Sequence, residues 1–225
     1  MDSNKITVVC VKWGKKYTAK NVNELERQVA QYLTVPHEFV CLTDNPGDVN
    51  CRTIEFTPGN YEGWWAKMNL FDQPSFNEWV LYFDLDVIIH RNIDCLVENR
   101  EKSFNSINDF HYPDVFNSSV MFWKRDEMYG LWKVYSESPD RHMEVYKGDQ
   151  DFISDMVKSA DDWAAYPDEW TWSWKWGDIR INCPVKQKVF HLTPEAKIAI
   201  FHGRPNPWEI DINDFRYTVY TERKP

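Results

Sequence analysis

Residues Val80–Ile89 have the sequence VLYFDLDVII, an apolar run rich in β-branched and aromatic residues that contains two carboxylates. Such residues favour strands, so the run predicts a buried strand of a central sheet. Because side chains alternate along a strand, we expect Asp84 and Asp86 to project from one side and to share a ligand. Buried charges are costly unless they are paired, and two neighbouring carboxylates repel each other. The stretch therefore predicts a site for a cation.

The chain on either side of this run predicts alternating strands and helices. Asn21 is the expected cap of the first helix, because Glu24 follows three residues later and apolar residues recur at helical spacing. The predicted strands are 6–11, 37–43, 52–56, 103–108, 115–123 and 197–201, and the predicted helices are 21–33, 64–71, 128–135 and 148–159. This alternation is typical of a mostly parallel, doubly wound α/β sheet, in which ligands bind at the carboxyl ends of the strands. Asp84 and Asp86 lie towards that end of their strand.

Composition limits the class of protein. The 225 residues predict one domain, 1–225, whose polar tail frays after about residue 215. A formal net charge of -9 argues against a nucleic-acid binder, which needs a basic face. Five cysteines without a CxxC pair predict reduced thiols rather than a disulfide framework. The chain has no secretory signal and no apolar stretch long enough for a transmembrane segment, so we expect a cytoplasmic protein.

Four motifs follow one another along the chain. They are FDLD at 83–86, FNSSV at 116–120, GDQD at 148–151 and FHGRPNPW at 201–208. In this order they resemble the motifs of GT-A-fold glycosyltransferases, and most closely those of the glycogenin-like and galactosyltransferase-like retaining group, family 8. The resemblance implies a Rossmann-like GT-A domain with helices flanking a mostly parallel sheet. It also implies transfer of a sugar from a nucleotide-sugar donor, expected to be a UDP-sugar, with retention of configuration.

The resemblance implies a metal site. In the family both DxD carboxylates and the histidine of the C-terminal motif hold manganese or magnesium, which matches Asp84, Asp86 and His202. A divalent cation neutralises the charge that grows on a diphosphate leaving group. Oxygen ligands suit Mg²⁺ or Mn²⁺, and an imidazole ligand favours Mn²⁺. We therefore expect Mn²⁺, with Mg²⁺ as the alternative.

The same motifs imply contacts to the donor. Lys67 and Arg204 match basic residues that approach the donor phosphates. The C-terminal motif is shorter than the family's HxxGxxKPW and has Asn206 in place of the lysine, so we expect Arg204 to supply that charge. We expect the base and ribose of the donor to lie at the end of the first strand, and the rest of the donor to contact the other motif residues. The further residues expected to bind the donor are Lys12, Trp13, Tyr17, Asp84, Leu85, Asp86, Asn117, Ser118 and Gly203.

The GDQD motif implies the catalytic residues. Asp149 and Gln150 match a pair that lies beside the anomeric carbon in the family, and Asp151 continues the start of the same helix. By this resemblance the pair positions the sugar and stabilises positive charge without forming a covalent bond. We expect the acceptor to be a carbohydrate, a lipid-linked sugar or a protein, and the sequence does not choose among them. Trp170–Trp176 contains four tryptophans that predict either an acceptor groove or core packing, and Asp168 or Glu169 could contact acceptor hydroxyls.

Other interpretations of these residues remain open at this stage. Asp84 and Asp86 could form a strand-end turn, and His202 could be structural. Acidic residues at a helix start also cap free amides, which would explain Asp149 and Asp151. The FDLD motif also resembles the nucleophile motif of haloacid-dehalogenase-like phosphatases, although that motif usually lies near the start of its domain. A transferase fold that binds a nucleotide sugar without turnover is the remaining alternative.

Overall fold

The computed structural model describes residues 5–57, 61–112, 115–175, 194–201 and 203–210. The strands are β1 (Ile6–Lys12), β2 (His37–Thr43), β3 (Arg52–Ile54), β4 (Trp79–Phe83), β5 (Val87–Ile89), β6 (Phe104–Asn108), β7 (Phe116–Lys124), β8 (Trp163–Ala165), β9 (Thr171–Ser173) and β10 (Ile198–Ile200). The α-helices are α1 (Ala19–Tyr32), α2 (Arg125–Glu137), α3 (Pro139–Val145) and α4 (Asp149–Ala160). Short 3₁₀ helices span Gly63–Phe71, Asp94–Val97, Asp168–Trp170 and Pro207–Glu209.

Within the described residues, a seven-stranded sheet has the order β3-β2-β1-β4-β7-β6-β8. β1 pairs in parallel with β2 and β4, whereas β7 runs antiparallel to both β4 and β6. This confirms the predicted mostly parallel α/β sheet. Phe83 at the end of β4 pairs with Val120, so the residues that begin β7 lie beyond the carboxyl end of β4. The reversed strand thus brings its own amino end to the edge where ligands bind in such sheets.

The run Val80–Ile89 forms two strands rather than the single strand that we predicted. β4 belongs to the seven-stranded sheet, and β5 pairs with β10 in a second, three-stranded sheet of order β5-β10-β9. Asp84 and Asp86 flank the turn between β4 and β5. A continuous buried strand would have enclosed both carboxylates in the apolar core, so the chain leaves the sheet at the point where the charges begin.

Two apolar clusters cover the two faces of the seven-stranded sheet. Alternate side chains of β1 divide between them, with Ile6, Val8 and Cys10 on one face and Val9 on the other. α1 packs on the first face, and the helix Gly63–Phe71, α2 and α4 pack on the second. The core therefore fixes the positions of α1 and α4 relative to the same sheet edge.

The first helix begins earlier than its sequence indicates. α1 starts at Ala19, and Thr18 rather than Asn21 precedes it. Asn21 is the third residue of the helix, and its side-chain Oδ1 accepts a hydrogen bond from the Thr18 backbone N–H at 2.8 Å. The predicted cap was wrong because Asn is a favoured cap residue, whereas here Asn21 takes the position that Glu or Gln usually has in a capping box.

The tryptophan-rich segment belongs largely to the core. Trp172 and Trp174 are fully buried, and Trp174 stacks on Phe201 with ring centroids 5.0 Å apart. Trp170 packs partly buried against the first face, and Trp176 lies outside the described residues. For Trp172 and Trp174 the acceptor-groove interpretation was therefore wrong, because their faces are already covered by protein.

The described cysteines Cys10, Cys41, Cys51 and Cys95 are free thiols. Cys183 lies outside the described residues. Among the described helices, none is both long and apolar enough to cross a membrane.

Asp94 ties the chain after β5 to the end of α1. Its carboxylate accepts hydrogen bonds from the Thr34 backbone N–H at 2.7 Å, from Thr34 Oγ1 at 2.6 Å and from Asn92 Nδ2 at 2.9 Å. Burial alone would raise the pKa of Asp94, but these hydrogen bonds outweigh it and lower the pKa below its ordinary value. The folded pKa is thus below the unfolded value of about 3.9, so the stabilisation is complete above about pH 4 and is lost as the pH falls through the folded pKa.

We predict that Asp94→Asn lowers the free energy of unfolding by about 1 kcal/mol at pH 7, because a carboxylate accepts these bonds more strongly than an amide. The difference from wild type should shrink towards zero at pH 3. Urea denaturation at both pH values measures it, with Asp48→Asn on the exposed loop as the charge-matched control. An equal loss at both pH values would contradict the assigned role of the carboxylate.

Candidate active site

A cavity of about 510 Å³ opens at the edge where β1 and β4 end and β7 begins. Its walls are the loop after β1, the start of the helix Gly63–Phe71, the turn after β4, the start of β7 and the start of α4. The structure brings nine of the residues singled out from the sequence to this cavity: Trp13, Tyr17, Lys67, Asp84, Asp86, Asn117, Ser118, Asp149 and Gln150.

Lys67 is the centre of a buried ion cluster on the cavity wall. Its Nζ lies 2.8 Å from Asp149 Oδ2 and 3.2 Å from Asp84 Oδ1. It also donates to Ser118 Oγ at 2.9 Å, and that hydroxyl donates to Asp149 at 3.0 Å. Burial lowers the pKa of Lys67, but the two carboxylates outweigh it and raise the pKa above the ordinary lysine value. Lys67 therefore joins the turn after β4 to the first turn of α4.

Asp86 is a buried carboxylate that lines the same cavity. Its Oδ2 accepts from Tyr17 Oη at 2.8 Å and lies 3.2 Å from Lys16 Nζ. Burial and the nearby carboxylate of Asp84 raise the pKa of Asp86, although Lys16 and Tyr17 lower it in part. The two carboxylates of the turn are thus close enough to repel each other.

The turn fits a hard divalent cation in its donor chemistry. It presents two carboxylates to one cavity, and their mutual repulsion is what a cation between them would relieve. In the part of the chain that the structure describes, no third histidine, cysteine or acidic side chain is grouped with them. His202, the predicted third ligand, lies outside the described residues. Asp84 and Asp86 are accordingly the residues that would hold Mn²⁺ or Mg²⁺.

Asp109 organises the amide side chains beside the cavity, and the sequence analysis missed it. Its Oδ2 accepts from Asn117 Nδ2 at 3.1 Å and from Gln150 Nε2 at 3.2 Å. The oriented amides then accept in turn, Gln150 Oε1 from the Ser118 backbone N–H and Asn117 Oδ1 from that of Ser119. An acidic residue directly after predicted strand 103–108 was the available signal, because ligand-binding groups follow strand ends in such sheets.

Several predicted site residues do not line this cavity. Lys12 is buried, and its Nζ donates to the Asn45 carbonyl oxygen at 2.8 Å and lies 3.4 Å from Thr43 Oγ1. Leu85 lines a separate cavity of about 210 Å³ behind the turn, together with Trp208. Asp151 lies half-buried in the first turn of α4.

Within the C-terminal motif, Phe201 and Asn206 are buried, whereas the bend between them lies at the surface. Gly203 has a φ of +71°, and both Gly203 and Arg204 are exposed. A Cβ placed on Gly203 would lie 3.9 Å from Lys175 Nζ. A second basic side chain, which the sequence analysis did not consider, therefore lies beside Gly203.

Other cavity residues were also missed. Tyr82 donates its hydroxyl proton to Asp84 Oδ1, and burial together with Asp84 raises the pKa of Tyr82. Lys16 and Trp64 line the cavity from opposite elements, the loop after β1 and the helix Gly63–Phe71. The Trp64 side chain is 62% exposed, whereas adjacent Trp65 is buried and stacks on Tyr135. The sequence around Trp64 and Trp65 does not indicate which of the two tryptophans faces the cavity.

Solved structures that are similar to this chain include glycosyltransferases. The galactosyltransferase LgtC, in complex with donor and acceptor sugar analogs, matches with a TM-score of 0.67 and 14% identity, covering 96% of this chain and 94% of LgtC. An active-site glutamine-to-glutamate mutant of LgtC matches with a TM-score of 0.68. The apo form of the glycosyltransferase GlyE of Streptococcus pneumoniae TIGR4 matches with a TM-score of 0.68 and 16% identity, covering 97% of this chain and 59% of GlyE.

No protein-family model and no curated protein sequence matches the chain. The likeness to LgtC and GlyE is therefore a likeness of fold. It confirms the predicted GT-A architecture, and it confirms that the chain resembles glycosyltransferases of the family 8 type in structure.

We predict that Lys67→Met lowers the free energy of unfolding by about 3–5 kcal/mol, because it leaves Asp84 and Asp149 without their shared buried cation. Adding Asp149→Asn should recover part of this loss, since it removes one of the stranded charges. Urea denaturation measures both effects, with Lys133→Met on the exposed side of α2 as the control. A loss below about 1 kcal/mol for Lys67→Met would contradict the central role of this ion cluster.

Proposed function

We propose that this protein is a metal-dependent glycosyltransferase that transfers a sugar from a nucleotide-sugar donor, a UDP-sugar, to an acceptor hydroxyl with retention. The observation that carries the proposal is the meeting of Asp84 and Asp86 with Asp149 and Gln150 in one cavity. The first pair suits a cation and a diphosphate, and the second suits a sugar ring. Their shared cavity would place the bond between diphosphate and sugar between the two pairs.

The donor is oriented along the sheet edge in this proposal. Trp13 and Tyr17, in the loop after β1, form the end of the cavity that receives the base and ribose. Asp84 and Asp86 would hold Mn²⁺ or Mg²⁺, which when bound neutralises the charge of the departing diphosphate. Lys67 contributes less to phosphate binding than the family resemblance implied, because its ammonium already pairs with the carboxylates of Asp84 and Asp149.

The sugar would lie against Asp149 and Gln150. The Gln150 amide is held by Asp109 on one side and by the Ser118 backbone N–H on the other, so its orientation is fixed before any ligand arrives. The negative charge of Asp149 stabilises positive charge on the sugar as its bond to the diphosphate weakens. An active-site glutamine is also a feature of LgtC, which supports a role for Gln150 in positioning the sugar.

The alternatives are weaker on specific grounds. A haloacid-dehalogenase-like phosphatase is disfavoured because the DLD turn follows β4, the fourth strand along the chain, and because the fold is that of glycosyltransferases. A nucleotide-sugar-binding module without turnover keeps the same cavity and metal turn. Turnover is therefore the measurement that separates it from an enzyme.

A donor screen tests the proposal. We predict Mn²⁺-dependent hydrolysis of at least one UDP-sugar in a panel, abolished by EDTA and reduced at least about 100-fold in Asp84→Asn and Asp86→Asn. Calorimetry with and without Mn²⁺ measures donor binding in parallel, and Asp48→Asn is the control for loss of a surface carboxylate.

Tight Mn²⁺-dependent nucleotide binding without hydrolysis or transfer would support the binding module instead. Equal donor binding in EDTA and in Mn²⁺ would remove the role given to Asp84 and Asp86. Hydrolysis of small phosphate esters with phosphorylation of Asp84 would support the phosphatase.

Trp64 is the residue best placed to receive the acceptor. Its exposed indole lies at the cavity wall beside α4, where a Cβ placed on Gly148 would come within 3.1 Å of Trp64 Nε1. Buried Trp65 anchors the segment, so Trp64 is held facing outwards. The electron-rich face of an indole suits the polarised C–H bonds of a pyranose ring. A sugar acceptor, either free or linked to lipid or protein, would meet these requirements.

We predict that Trp64→Ala raises the KM for a carbohydrate acceptor about tenfold, the value of one lost aromatic contact, and that Trp64→Phe retains most of the affinity. Gly148→Ala should act in the same direction by displacing the indole. Transfer assays with a panel of mono- and disaccharides give KM and kcat, with the exposed Tyr129→Ala as the aromatic control. An unchanged acceptor KM in Trp64→Ala would exclude this role.

A further inference from the structure

Lys16 links the loop after β1 to the carboxylate turn. Its Nζ lies 3.2 Å from Asp86 Oδ2 and donates to Tyr17 Oη at 2.6 Å. Tyr17 donates in turn to the same Asp86 oxygen at 2.8 Å. The Lys16 ammonium also lies 4.5 Å from the centre of the Tyr17 ring. Lys16 therefore neutralises, together with Tyr17, a carboxylate that we assign to the metal.

Lys16 differs from Lys67 in its freedom to move. The Lys16 side chain is 55% exposed, whereas that of Lys67 is 7% exposed. Lys67 cannot leave its cluster without stranding two carboxylates in a buried site. The Asp86 side chain is only 9% exposed, but water and salt reach the Lys16 end of this ion pair and weaken it, and the long lysine side chain loses entropy when it is held.

The loop that carries Lys16 is anchored at both ends. At one end Gly14, with a φ of +65°, allows a tight turn and donates its N–H to Asp44 Oδ2 at 3.0 Å. At the other end the Thr18 N–H donates to Asn21 Oδ1. Rotation of the Lys16 side chain can thus move the ammonium within the cavity while the backbone keeps its position.

We propose that Lys16 is a phosphate-binding residue that Asp86 retains until a divalent cation binds, an inference that rests on the proposed function. Asp84 and Asp86 would hold the cation, and the Lys16 ammonium would then be repelled by its charge and lose Asp86 as a partner. The released ammonium faces the same cavity, where it pairs with the diphosphate of the donor. A cation that binds without nucleotide must therefore compete with Lys16 for Asp86. When the nucleotide is also bound, its diphosphate gains a contact from the displaced Lys16. The two ligands bind with positive coupling.

Two titrations of Lys16→Met test this inference. Free Mn²⁺ is followed by its EPR signal, first with protein alone and then with protein saturated with UDP. Without UDP the variant should bind Mn²⁺ about two- to fivefold more tightly than wild type, the range expected for loss of an exposed competing charge. With UDP it should bind Mn²⁺ more weakly than wild type, by about threefold or more, because the phosphate contact is missing.

The control is Lys20→Met in the first turn of α1, which is exposed and changes the net charge equally. Lys16→Gln repeats both titrations in case the apolar side chain perturbs the loop, and circular dichroism checks that each variant is folded. Two results would overturn the inference while leaving the proposed function intact. One is that Lys16→Met and Lys20→Met change the Mn²⁺ affinity equally. The other is that Lys16→Met changes this affinity in the same direction with and without UDP. A wild-type protein that binds neither Mn²⁺ nor UDP would overturn both.

Discussion

The ion cluster around Lys67 is the interaction on which the site depends. One buried ammonium joins three elements that are distant in sequence, the helix Gly63–Phe71, the turn after β4 and the first turn of α4. Because each carboxylate would be costly to bury alone, the three elements are stable in this arrangement only together. The cluster thus couples the stability of the fold to the geometry of the cavity: Asp84, which would hold the cation, and Asp149, which would face the sugar, share one counter-ion.

The sheet supplies the rest of the geometry through a single reversed strand. Since β7 runs against β4, its first residues lie beside the end of β4 and its backbone contributes directly to the site, as in the hydrogen bond from the Asp84 N–H to the Ser119 carbonyl oxygen at 2.9 Å. Asp109 follows the neighbouring strand and orients the amides of Asn117 and Gln150. Rigid backbone therefore positions the polar groups, while the more exposed Lys16 and Trp64 remain at the cavity wall for interaction with ligands.

Much of this organisation follows from local sequence. The alternation of apolar strands and helices predicted the mostly parallel sheet, and three of the four motifs, FDLD, FNSSV and GDQD, contain residues that line the cavity at its edge. What failed depended on distant partners. The break at Asp84 reflects contacts with Lys67 and Ser119 that no local pattern carries, and the burial of Trp172 and Trp174 depends on strand β10, more than twenty residues further along the chain. Asp109 was missed because its role depends on two amides from other elements.

The turn at Asp84–Asp86 is also a direct covalent junction between the two sheets, because β4 ends directly before it and β5 begins directly after it. β5 is fixed against β10 by the pairing of Ile198 with Ile89, Ala199 with Ile88 and Ile200 with Val87. Val87 and Ile89 face one apolar cluster and Ile88 faces another, so an insertion or deletion of one residue in this turn would invert the alternation of β5 and exchange these environments. The length of the DLD turn is thereby constrained by sheet register, independently of any ligand that its carboxylates hold.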